Sequence, residues 1–235
     1  MRLGLDRLVA DDFASLRGRT VGLLVNQGSV ASDYRHAVDL FRAAPGIRLG
    51  AIFGPQHGLY GVQQDNMIEW EGGLDPRLGI PIHSLYGTLR KPSRDMLRGL
   101  DVLVVDLPDV GSRYYTFVWT MALAMEACAE VGIPVVVLDR PNPIGDSVEG
   151  TVLERRFASF VGLHPVPTRH GMTIGEMARH VARPSAPPTV VEADGYDRSA
   201  YLDEIPGSVW AMPSPNMPTV ETAVVYPGGC LLEAT

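Results

Sequence analysis

The chain has little cysteine, no excess of basic charge and no long apolar run. Only Cys128 and Cys230 occur in 235 residues, and neither belongs to a C-x-x-C pair. That pattern excludes a disulfide scaffold, argues against a structural zinc site and fits two reduced, packed thiols. Twenty Lys and Arg against 27 Asp and Glu leave a net charge of −7. Phosphate binding needs a basic face, so nucleic acid is not expected as a partner. No segment approaches the ~20 apolar residues of a membrane span, so no membrane partner is expected. The opening Met1-Arg2-Leu3-Gly4-Leu5-Asp6 has no signal-peptide core, and the expectation is a cytoplasmic protein.

Several chemical signatures are also missing. The first apolar run is followed by Asn26-Gln27-Gly28, with no GxGxxG, and there is no GxxxxGK[ST] loop. No GxSxG elbow and no HExxH appear, and the six histidines are scattered. Dinucleotide, nucleotide-phosphate, serine-hydrolase and zinc-hydrolase sites of the usual kinds are disfavoured. No cofactor and no metal is expected.

What is present is 46% hydrophobic residues in short apolar runs separated by helical patterns. Thr20–Val25, Ile47–Phe53, Ile82–Leu85, Leu100–Asp106, Ile133–Leu138 and Thr189–Glu192 read as strands. Continuous apolar runs mark strands buried on both faces. Helices are expected after Asp33, after Ser93 and from Phe117 to Gly132. Another begins at Thr173, where Thr173 and Glu176 have capping-box spacing. A short strand is expected at Phe160–Leu163, and Pro184–Pro188 reads as a turn or short linker. This alternation predicts an α/β domain over residues 1–235 with a mainly parallel sheet, any subdivision falling at 182–188.

Polar groups recur where the strands end. They are Asn26 after the first, Gln56 and His57 after the second, and Asp106, Asp109, Arg113 and Tyr115 after the central one. Asp139, Arg140 and Asn142 follow the next strand. Parallel strands put these ends on one edge, where ligands of open α/β sheets bind. Arg169, His170 and Asn216 are expected to fold over the same edge. The long segment 59–81 carries Gln64 and Asp65 and reads as an ordered binding loop. The mixture points to a sugar or a small polar acid, and carboxylate-driven acid–base chemistry is what remains. The plainer reading is that Asp106 and Asp139 fix loops or cap helices through backbone hydrogen bonds.

Six motifs come in a recognisable order: Phe53–Gly58, Asp106–Phe117, Leu138–Pro143, Val148–Gly150, Pro167–Thr173 and Pro213–Pro218, followed by Tyr226-Pro227-Gly228. Together they resemble the DUF1343 family, also called the YbbC or NamZ-like family, over nearly the whole chain. The resemblance implies a Rossmann-like sheet with helices on both faces, carrying the active-site cleft, with a smaller C-terminal domain after it. It also implies an exo-β-N-acetylmuramidase, a hydrolase that removes N-acetylmuramic acid from the non-reducing ends of peptidoglycan fragments. The expected partner is then a muropeptide or another peptidoglycan-derived sugar. Asp106, Asp109, Glu149 and Glu233 are the carboxylates for acid, base or nucleophile roles. Arg113, Arg140 and Arg169 are the candidates to meet the lactyl carboxylate, since arginine recognises carboxylates bidentately.

Two departures stand out. Many relatives carry glutamate in the matching Pro-Glu-His-Gly motif, and this chain has Gln56. Either another carboxylate does that work, or the chain is a sugar-binding homologue without turnover. Relatives also continue past the Cys-Leu-Leu-Glu segment, while this sequence stops at Thr235. The family's C-terminal domain is therefore expected to be lacking here.

Overall fold

The computed structural model describes residues 1–61, 72–77 and 79–232. Its strands are β1 (Thr20–Val25), β2 (Arg48–Gly54), β3 (Gly73–Leu74), β4 (Pro81–Ser84), β5 (Val102–Asp106), β6 (Val135–Leu138) and β7 (Thr189–Val191). They form one sheet in the order β3-β4-β2-β1-β5-β6-β7. Every neighbouring pair is parallel except β3 with β4. β7 pairs with β6, so 182–188 is a connection within one sheet.

Why these runs become central strands follows from their alternation. Leu24, Phe53, Leu103, Val105 and Val137 point to one face. Val21, Leu23, Val25, Ile52, Val102, Val104, Val136 and Leu138 point to the other. Both faces are apolar, so each needs a helical cover. Helices α1 (Gly4–Ala10) and α2 (Ala37–Ala43) cover the second face. The first is covered by α3 (Arg94–Leu97), α4 (Phe117–Val131), α5 (Ile174–Val181) and α6 (Val220–Gly229). Helix α4 is apolar on nearly every side because α3, α5 and the sheet surround it. Gly132, at φ 76°, ends it in the left-handed region, which a side chain disfavours. This is the α/β, mainly parallel, two-faced architecture expected.

Some local expectations were off. Asp33 does not cap α2; it holds Arg35 in the preceding turn, and the cap is His36, whose ring accepts the Val38 N–H at 3.2 Å. Phe160–Leu163 is a tight turn closed between Ser159 and Gly162, not a strand. Helix α1 had no cap residue to announce it. Leu3 precedes it, and Asp6 reaches back to the Leu3 N–H at 2.8 Å. Helix α6 runs through Pro227, which sequence rules treat as a stop.

The capping box at α5 is as expected: the Thr173 hydroxyl accepts the Glu176 N–H at 3.1 Å, and Glu176 accepts the Thr173 N–H at 3.0 Å. Burial pushes the Glu176 carboxyl up, but Arg198 and the Thr173 N–H overcome this and leave it below its usual value. Thr173→Ala is expected to cost about 1 kcal/mol, a drop of roughly 2–4 °C in Tm by thermal melt.

Candidate functional site

A cleft of about 240 Å³ opens at the carboxyl edge of the sheet. Its floor comes from the turn after β2, its sides from Tyr86 after β4 and from Tyr114–Thr116 between β5 and α4. Phe160, Ser214, Asn216, Met217, Tyr226 and Cys230 close it.

The β2 turn is tight: the Gly58 N–H donates to Pro55 O at 3.0 Å. His57 is buried there at φ 68°, an uncommon place for a residue with a side chain. Gln56 is fixed across the cleft, its Oε1 accepting from Thr116 Oγ1 at 2.9 Å. Tyr115 packs at 4.6 Å from the Phe117 ring and edge-on to Tyr226 at 6.1 Å. Tyr114 also meets Tyr226 edge-on, and its hydroxyl donates to Pro227 O at 2.8 Å. That carbonyl lies in the last turn of α6, where acceptors lack helical partners. Burial raises the Tyr115 phenol far above its ordinary value; the nearby Ser214 hydroxyl opposes this and Asp109's charge adds to it. Tyr115 is therefore a standing hydroxyl, not a phenolate. Arg90 stacks 3.6 Å over the Tyr86 ring and 4.9 Å from Phe160, which brings positive charge to that wall.

Of the residues named from sequence, Gln56, His57, Tyr115 and Asn216 line this cleft. The others described lie elsewhere and hold protein groups. Asp106 and Arg140 form a buried fork, Nε to Oδ1 at 2.6 Å and Nη2 to Oδ2 at 2.9 Å. Arg140 also donates to Val30 O at 2.8 Å. Asn26 donates to Pro213 O at 2.6 Å and accepts the Gly28 N–H at 3.0 Å. Arg113 spends its guanidinium on Thr151 O and Val166 O, at 2.7 and 2.8 Å. Asp139 accepts the Gly175 N–H at 2.7 Å, at the start of α5. Burial pushes its carboxyl up, against pulls from that N–H, the Thr173 hydroxyl and other backbone donors. Asn142 shapes its own turn, accepting from the Ile144 N–H at 3.1 Å and donating to Met172 O at 3.1 Å. The loop-fixing reading of Asp106 and Asp139 is the one the geometry fits.

Asp109 and His170 form a second buried pair, Oδ2 and Nε2 3.1 Å apart but off hydrogen-bond alignment. The His170 Nδ1 accepts the Met172 N–H at 3.2 Å, and Asp109 accepts the Gly111 N–H at 3.0 Å. Glu149 lies well exposed and pairs with Arg169 at 3.0 Å. Gln64, Asp65 and Glu233 lie outside the described residues.

Sequence reasoning did not single out Phe160, Val161, Ser214, Met217, Tyr226 and Cys230 as cleft residues; Tyr114 and Thr116 belong to the same strand-end stretch as Tyr115, Asp106 and Arg113, where chemistry was expected. Among the described residues, no group of three or more His, Cys, Asp or Glu is placed to hold a metal ion, and no carboxylate lines the cleft. Cys128 is buried in α4 with its thiol pushed up to about 12, which makes it inert packing.

The family model described as exo-beta-N-acetylmuramidase NamZ, N-terminal, matches residues 21–221. The chain belongs to this family. It is 44% identical to the peptidoglycan beta-N-acetylmuramidase NamZ of Bacillus subtilis (strain 168), over all of this chain and 57% of that protein. Two crystal structures of DUF1343 family proteins from Bacteroides fragilis NCTC 9343 share the fold. One has a TM-score of 0.90 at 35% identity, covering 98% of this chain and 59% of its own. The other has a TM-score of 0.82 at 31% identity, covering 100% and 62%. The chain thus spans about three-fifths of the length of these NamZ and DUF1343 proteins.

Proposed function

We propose that this chain carries the sugar cleft of an exo-acting β-N-acetylmuramidase, which releases N-acetylmuramic acid from the non-reducing ends of peptidoglycan fragments. The observation that carries the reading is the cleft itself: aromatic rings interleaved with amide and hydroxyl groups, in a chain 44% identical to a peptidoglycan muramidase. Tyr86, Tyr114, Tyr115 and Tyr226 offer ring faces and edges to the apolar side of a pyranose. Gln56, Thr116, Ser214 and Asn216 offer partners to its hydroxyl and acetamido groups. Pockets that fix a polar ligand use few polar groups on an apolar lining.

The lactyl carboxylate needs a cation. Arg113, Arg140 and Arg169 do not line the cleft. Arg90, stacked on the Tyr86 ring, is the cation proposed for that role. Hydrolysis also needs a group to protonate the leaving oxygen and another to handle water or the glycosyl unit. Glu233 is the acidic residue proposed for the second task.

Gln56 and the absence of a carboxylate from the described lining favour one other reading, a sugar-binding protein without turnover. Incubation with a chromogenic β-N-acetylmuramide decides between them. Release of chromophore together with free N-acetylmuramic acid is expected. Binding of the sugar with no release would favour the second reading.

A further inference from the structure

Within the described lining of the cleft, one side chain belongs to a chemical class that exchanges protons readily near neutral pH, and that is His57. The other titratable residues of that described lining come from four places: Tyr86 after β4, Tyr114 and Tyr115 before α4, Tyr226 on α6 and Cys230 just past it. Phenols and thiols are poorly matched to donating a proton at that pH.

The backbone singles out the same residue. Among the described residues, four other than glycine have positive φ: Asp12, Phe13, Tyr34 and His57. Of these, only His57 lines the cleft. Glycine would take that conformation without strain, so a histidine there is a side chain held at a cost. Such outliers gather where a site over-determines its geometry. The imidazole is only 4% exposed and sits next to Gln56, which Thr116 anchors at 2.9 Å. It is thus a fixed group on the cleft floor, not a surface histidine.

We infer that His57 is the general acid of this cleft, an assignment that rests on the glycosidase reading above. The bond from the sugar's C1 to the leaving oxygen breaks, and its electron pair stays on that oxygen. The imidazolium gives that oxygen its proton. Water forms the new bond to C1 and loses a proton, which restores the imidazolium.

The test compares His57→Asn with the unmodified protein on two substrates. One is the β-linked disaccharide of N-acetylmuramic acid and N-acetylglucosamine, whose leaving oxygen needs a proton. The other is 2,4-dinitrophenyl β-N-acetylmuramide, whose leaving group does not. Asparagine tolerates the left-handed backbone, and His57→Gly, which removes its strain, serves if the first variant does not fold. The expected loss in kcat/KM is on the order of 10²- to 10⁴-fold on the disaccharide and less than about tenfold on the dinitrophenyl glycoside. The unmodified protein should also lose kcat on the disaccharide as pH rises through the range of an imidazole. That limb should vanish in the variant. Equal losses on both substrates, or none, would overturn the assignment and leave the glycosidase reading standing. No turnover of either substrate by the unmodified protein would overturn both.

Discussion

Arg140→Met is expected to destabilise the protein by about 3–5 kcal/mol, the usual consequence of removing one partner from a buried ion pair. Asp106 is fully buried, and Arg140 meets both of its oxygens at 2.6 and 2.9 Å. Without the guanidinium, a carboxylate remains in the interior with no counter-charge. The backbone carbonyl of Val30 also loses its donor. Urea unfolding should show a lower midpoint, and a thermal melt a fall on the order of 10 °C. The companion variant Asp106→Leu with Arg140→Met removes both charges at once. It should recover a good part of the loss, because the desolvation cost of the ions goes with them. The pair's position explains its presence. It ties β5 to the end of β6 and to the loop after β1, where the strand order turns from one side of the sheet to the other.

Gln56→Glu is expected to raise kcat by about 10²-fold, at the lower end of what a positioned acid or base contributes. The swap is nearly isosteric. Thr116 Oγ1 donates to Gln56 Oε1 at 2.9 Å, and a carboxylate oxygen accepts the same bond. The cleft should keep its shape, so KM should move little. What changes is that a proton acceptor appears on the cleft lining, next to His57 in the chain. A rise in kcat at steady KM is the signature of a group that acts in the transition state. An unchanged rate would place Gln56 away from the reacting atoms. Turnover by the variant alone would favour the sugar-binding reading for the unmodified chain.

The central strands were legible because β1 and β5 are buried along their whole length, and β2 over its last four residues, so these stretches are mostly apolar. The α5 cap was legible because Thr173 and Glu176 complete it within four residues. Helices α1 and α6 were not. Leu3 gives no cap signal, and Pro227 reads as a stop although α6 continues to Gly229. At the site, the edge of the sheet was legible and the division of labour was not. Asp106 meets Arg140 across 34 residues, and Asp139 meets Gly175 across 36. Both look like strand-end carboxylates awaiting a ligand until those partners are seen. Phe160 reaches the cleft from a distant segment, and nothing in its local sequence marks it; Tyr226 stands in a recognised motif, but its place in the cleft comes from long-range folding.

The central claim is that the sugar binds in the cleft between the β2 turn and the tyrosines, and not over the Asp106–Arg140 fork. A crystal structure of the protein with N-acetylmuramic acid tests it most directly. The pyranose should lie against Tyr115 and Tyr226, within hydrogen-bond reach of Gln56 and His57, with the lactyl carboxylate toward Arg90. A sugar seated elsewhere on the molecule, with Gln56 and His57 untouched, would contradict it.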